Sequence, residues 1–218
     1  MTVHDDPTEQ QVVAAGGRLA IEAARFAGLG WMRGTSGNLS EVLDRSPLRL
    51  AVTASAVDKG EMTGADVVVV DATGAPVSIA GLPDRRPSAE AGLHARVVTE
   101  TGAGAVVHVH ALSAVVAANR WPDGVALRDV EMLKGIGRAA HDEVVVVPVI
   151  PNSQDMDELG NRFVAARRDG VPAVIVAGHG MYVWGDDLRQ ARHHTESIEW
   201  LLAFALATDD SKNGENPS

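Results

Sequence analysis

Residues 104–111, GAVVHVHA, alternate along the chain in the manner of a β-strand. Successive side chains of a strand point to opposite faces, so His108 and His110 share one face and their imidazoles can converge on a single ion. Two histidines so placed also occur on strands without metal, and a third ligand would have to decide between the readings. Outward from this strand the pattern keeps switching between periods of two and of 3.6. On the C-terminal side an Ala-rich stretch suits a short helix, and VVVVPVI at 144–150 reads as a strand. A helix follows at 154–169. PAVIVAGHGMYVWG at 172–185 is a strand pair broken by Gly-His-Gly, and 186–208 is a long final helix. On the N-terminal side the first 30 residues suit a helix ended by glycines. GNLSEVL and LRLAVTAS are strands either side of a turn at Ser46 and Pro47, and VVVVD at 67–71 is a buried strand. GLPDRRP at 81–87 is a loop, after which Pro87 stands where a helix reaching Thr99 begins. Such mixing predicts a layered α/β or α+β domain. No linker or repeat divides it, so one domain is expected over 1–208, with DDSKNGENPS at 209–218 a disordered tail.

Composition narrows the chemistry. With 45% hydrophobic and 22% charged residues the chain is globular in character, and its 218 residues suit one large domain. It has no apolar run of membrane-spanning length, and MTVHDDPTEQ lacks a basic segment followed by an apolar one, so a cytoplasmic protein without membrane partners is expected. A formal net charge of -10 argues against nonspecific binding to nucleic acid or anionic membranes. Cysteine is absent, which excludes disulfides, thiolate nucleophiles, iron–sulfur clusters and cysteine-based zinc sites. Any metal must be held by histidines and carboxylates.

His179, between Gly178 and Gly180 in an otherwise apolar stretch, is the candidate third ligand; otherwise it is the water-facing residue of a tight turn. Three histidines with an open fourth position would make a catalytic rather than a structural site. Glu90 in PSAE is a candidate fourth ligand or base, and His94 lies one helical turn further on, where the two can also simply pair. Glu131 in DVEMLKG is by residue type an ordinary surface acid. His4, His141, His193 and His194 read as structural or surface residues, since the adjacent pair in HHTE points in directions about 100° apart on a helix. RGTSGNLS at 33–40 is rich in glycine and hydrogen-bonding side chains: an anion-holding nest, or an ordinary turn before a strand. Neither GxxxxGK[ST] nor GxGxxG occurs, so nucleotide binding has no support.

In order along the chain stand GTSGNLS, VTAS followed by DKG, PSAE, HVH, EMLKG, PVIPNSQDMDEL, GHGMYVWG and RHHTESIEWLL, spanning roughly 12–203. With these motifs the sequence resembles the class II aldolase superfamily, and within it a dehydratase branch. The resemblance implies a three-layer α/β/α domain around a mixed, mainly antiparallel sheet. It also implies one zinc ion per subunit on His108, His110 and His179, and a homotetramer with active sites near subunit contacts. Glu131 would be the catalytic acid/base, its pKa raised by burial. Thr35, Ser36, Gly37, Asn38, Thr53, Ser55 and Ser88 would surround the phosphate of a small sugar-phosphate substrate, supplemented by Lys59 or Arg86. Glu90 matches the metal-coordinating glutamate of sugar-phosphate aldolases and is a second-tier catalytic candidate. The implied activity is dehydration of a ketose phosphate; retro-aldol cleavage through an enediolate and a noncatalytic scaffold are the alternatives. The sequence departs from the family pattern at Ala56, where glycine is common, and at Arg86, where lysine is.

Overall fold

A computed structural model describes residues 6–209. The strand at the head of the sequence reading is β4 (Ala105–Val109), and it lies at the middle of a seven-stranded sheet. On one side of it run β1 (Asn38–Arg45), β2 (Leu48–Thr53) and β3 (Val67–Val70); on the other run β9 (Gly180–Gly185), β8 (Ala173–Val176) and β7 (Val149–Ile150). Neighbours are antiparallel except β7 and β8, which are parallel, so the sheet is mixed and mainly antiparallel.

Alternation assigns the two faces. Val107, Val109, Ile175, Met181 and Val183 pack with helices α1 (Glu9–Gly28), α3 (Leu112–Arg120) and α5 (Leu188–Ala207). Val106, Val174, Val176 and Tyr182 pack with α2 (Ala91–Thr101) and α4 (Met156–Ala166), through Leu93, Leu159 and Phe163. Helices on both faces make three layers, which also explains why these strands are apolar on both sides. No helix among the described residues is long and apolar enough to cross a membrane.

Two expectations shift. The helix expected from Pro87 starts at Ala91, because Pro87 forms an antiparallel bridge with Ala54 and the Arg86 carbonyl accepts from the Ser55 N–H at 2.9 Å. The chain is held extended there and must turn at Ser88–Glu90 before it can coil. VVVVPVI is two strands rather than one: β6 (Val145–Val147) pairs with β5 (Val125–Leu127) in a separate ribbon, while β7 joins the main sheet. Pro148 has no N–H to give a ladder, and it stands where the chain changes sheets. EMLKG opens a 3₁₀ helix, Glu131–Ile136. The tail from 210 onward and His4 lie outside the described residues.

Candidate active site

His108 is fully buried on the α2/α4 face of β4, opposite Tyr182 on β9, and the two rings stack with centroids 4.1 Å apart at 13°. Its Nδ1 lies 3.1 Å from the Met181 carbonyl oxygen. A carbonyl only accepts, so Nδ1 carries the proton and Nε2 presents a bare lone pair, the usual way a metal-binding imidazole is oriented. That Nε2 lies 3.0 Å from His110 Nε2 and 3.3 Å from His179 Nε2. His110 arrives two residues further along the chain on the same face. His179 arrives on the turn between β8 and β9, where Gly178 takes a φ of 68°. Gly180 lets that turn close on β4, since a Cβ there would lie 2.3 Å from the Val109 carbonyl oxygen.

Glu90, at the head of α2, completes the group: its carboxylate oxygens lie 3.4 Å from His108 Nε2 and 3.2 Å from His179 Nε2. The three imidazole nitrogens all lie within 4.8 Å of one another, and with a carboxylate beside them they form a donor set that could hold a divalent metal ion. Burial pushes His108 down to about 3 and lowers His110 as well, so both are neutral, ligand-competent bases at physiological pH. Burial by itself would raise the Glu90 carboxyl, but His108, the Asn38 amide and His179 together hold it at about 2. The pull of His108 vanishes once that ring is neutral, whereas Asn38 Nδ2 still donates to the carboxylate, at 2.6 Å.

Asn38 is itself held from behind. Its Oδ1 lies 2.5 Å from His94 Nε2, and His94 Nδ1 lies 2.7 Å from Ser40 Oγ. His94 is fully buried, which lowers its pKa to about 4, partly offset by Glu90. His94 and Glu90 therefore do not pair directly; Asn38 stands between them.

A cleft of about 430 Å³ opens beside the triad, lined by Glu90, His110 and His179. Thr35, Ser36, Gly37, Asn38, Ser55, Lys59 and Ser88 line it too. Lys59 is buried, with Nζ donating to the carbonyls of Val57 at 2.8 Å and Thr35 at 3.2 Å, and burial lowers its pKa despite the opposing effect of Asp58. Ser36 spends its hydroxyl proton on the Arg33 carbonyl at 2.8 Å, whereas Ser88 Oγ accepts from the Glu90 N–H and keeps its own proton to donate. The Asn38 side chain is committed to Glu90 and His94, so an anion in the cleft would meet other groups of this turn.

Three expected site residues stand elsewhere. Thr53 is buried, with Oγ1 accepting from the Leu39 N–H at 3.3 Å, and so ties β2 to β1 instead of facing the cleft. Arg86 is exposed and outside the cleft lining; what it contributes is the carbonyl that anchors Ser55. Glu131 is also outside the lining. Its side chain is 72% exposed and 2.5 Å from Lys134 Nζ, and that contact lowers its pKa, opposite to the shift expected from burial. Ala54, Ala56, Ser153, Gln154 and Met156 line the cleft without having been singled out as site residues. The NSQD stretch was the available signal for two of them. His141, His193 and His194 lie outside the cleft lining, against Asp129, Arg192 and the Trp184 carbonyl respectively.

Comparison with known proteins finds relatives by sequence and by fold. The methylthioribulose-1-phosphate dehydratase of Methylococcus capsulatus is 39% identical over 187 residues, covering 84% of this chain and 88% of that protein. The dehydratase of the same name from Persephonella marina is 35% identical over 177 residues, 80% of this chain and 81% of that one. Among solved structures, L-fuculose-1-phosphate aldolase from Thermus thermophilus shares the fold, with a TM-score of 0.72 at 21% identity over 94% of this chain and 99% of that one. The family described as Class II Aldolase and Adducin N-terminal domain matches residues 18–206, and the chain belongs to that family.

Proposed function

We propose that this chain is a hydro-lyase that converts 5-methylthioribulose 1-phosphate to 2,3-diketo-5-methylthiopentyl 1-phosphate in methionine salvage, as a zinc-dependent, cytoplasmic homotetramer. The observation that carries the reading is the convergence of three imidazole Nε2 atoms and Glu90 on a polar cleft, in a chain 35% and 39% identical to dehydratases of that name. Zinc on His108, His110 and His179 would supply Lewis acidity for the negative charge that develops when the proton next to the C2 carbonyl is removed.

The chain's own groups account for the rest. Lys59 and the hydroxyls of Thr35, Ser55 and Ser88 hold the phosphate by charge-assisted hydrogen bonds. Glu131 takes the C3 proton and delivers one to the C4 hydroxyl, which leaves as water; the enol left between C3 and C4 then becomes the second ketone. Within one subunit Glu131 is exposed and outside the cleft lining. We therefore assign it to the cleft of a neighbouring subunit in the tetramer, where contact would bury it and raise its pKa.

Product analysis tests the assignment. Zinc-loaded protein incubated with methylthioribulose 1-phosphate should release the diketone. Release of dihydroxyacetone phosphate instead would move the assignment to retro-aldol cleavage of the C3–C4 bond with Glu90 as acid/base. Absence of both products would reject catalysis on this substrate.

A further inference from the structure

We propose that His94, which touches neither cleft nor triad, is a positioning residue whose single tautomer locks the Asn38 amide and thereby holds Glu90 against the three imidazoles. The argument starts from the acceptor-only end of the chain of contacts. A carboxylate has no proton to give, so the Asn38 atom 2.6 Å from Glu90 Oε2 is the NH₂ nitrogen. Oδ1 then faces His94 at 2.5 Å, and because an amide oxygen only accepts, His94 Nε2 carries the ring proton. The neutral ring consequently has a bare Nδ1, and the Ser40 hydroxyl at 2.7 Å donates into it. One polarity thus runs through four side chains: Ser40 to His94, His94 to Asn38, Asn38 to Glu90.

The covalent frame around this relay is rigid. Asn38 and Ser40 share a face of β1, and β1 is paired to β4 with Asn38 opposite His108. His94 lies on α2 four residues after Glu90, and its N–H donates to the Glu90 carbonyl at 3.1 Å, so relay and carboxylate ride on the same first turn. Tyr182 abuts both His94, edge-on at 5.8 Å, and His108, stacked at 4.1 Å. If His94 could not donate, the Asn38 oxygen would lose its buried partner and the amide its fixed orientation, so its hold on the Glu90 carboxylate would loosen and Glu90 could drift from the triad. Outer partners of this kind are typically worth about 10–100-fold in metal affinity or activity.

The kinetic half of the test rests on the dehydratase reading; the metal half does not. In His94→Leu, affinity for Co²⁺ should fall about 10–100-fold, with a changed visible spectrum of the bound ion, and kcat should fall about 10–100-fold while KM stays within about threefold. His94→Gln, which keeps a side-chain N–H, should recover most of both. A wild-type cobalt spectrum and affinity in His94→Leu would overturn the proposal, as would a folded His94→Gln no better than His94→Leu. Should His94→Leu fail to fold, Ser40→Ala decides: it frees the Nδ1 end and should weaken cobalt binding several-fold, and no change would overturn the relay. A wild-type protein that shows these cobalt effects but no dehydration would overturn the substrate assignment and leave the relay standing.

Discussion

Glu90 and Glu131 are the two acids that motif reading brought forward, and the structure gives them opposite surroundings. Glu90 is 14% exposed at the head of α2, between two imidazoles and an amide donor. Glu131 is 72% exposed at the start of a 3₁₀ helix, with Lys134 as its ion-pair partner. Lys134 lowers the Glu131 carboxyl, and a carboxyl so lowered is a poor proton donor at neutral pH. Residue type therefore does not make a general acid; its enclosure does. For Glu131 to act, a subunit contact must reverse the sign of that shift by excluding water and loosening the Lys134 pair. Glu90 is already enclosed and oriented, which suits it to the metal side of the site.

The largest effect tests the frame in which the two acids are compared. His110→Ala should lose bound zinc and at least about 10³-fold of kcat/KM, as elemental analysis and steady-state kinetics on one preparation will show. Retained stoichiometric zinc would mean that the triad is not the metal site, and the distinction between an acid on the metal and an acid at a distance would lose its basis. Next, Glu131→Gln should keep zinc and fold but lose about 10²–10⁴-fold in kcat. Mixing subunits sharpens this: a Glu131→Gln site keeps its metal and a His110→Ala subunit keeps its Glu131. If the acid crosses between subunits, co-refolded mixtures regain activity that neither parent has. Mixtures as inactive as their parents would place Glu131 in its own subunit's site or outside the mechanism.

A smaller effect belongs to the cleft side alone. Lys59→Met should raise KM and the inhibition constant of inorganic phosphate about 10–100-fold, the worth of a hydrogen bond to a charged group, while Arg86→Met, outside the lining, should change neither. Equal effects at both positions would return Arg86 to the phosphate site.

The layered fold and the triad were legible because both rest on short-range pattern. Alternation put His108 and His110 on one face, and a histidine between two glycines gains nothing as packing. What escaped the reading depends on distant partners. The relay joins Asn38 to residues 52 and 56 positions away, and no local signal says that Asn38 faces Glu90 and His94 more than the cleft. Arg86 has the charge a phosphate site wants, but the bridge of Pro87 to Ala54 governs the chain there, and neither partner reveals the other in sequence. Glu131 carries a family motif in surroundings that only tertiary, and by our reading quaternary, structure can supply.

The smallest effect concerns Ala56, one of two left-handed backbone positions in the cleft, Gly37 and Ala56, at φ 73° and 60°. Gly37 has no room for a side chain: a Cβ would lie 2.8 Å from Met32 Cγ and 2.9 Å from the His108 carbonyl oxygen, so Gly37→Ala should cost about 2–4 kcal/mol. At Ala56 the chain carries a Cβ in a conformation that disfavours it by about 1–2 kcal/mol. Ala56→Gly relieves that strain but gives back about 0.5–1 kcal/mol through the greater freedom of glycine in the unfolded chain. The net expectation is stabilisation by about 0.5–1 kcal/mol, a rise in Tm of a few degrees at most for a chain of this size. An unchanged or lower Tm would mean that contacts of the Ala56 methyl in the folded chain offset the strain, and the departure from glycine here would then be a packing choice rather than a tolerated cost.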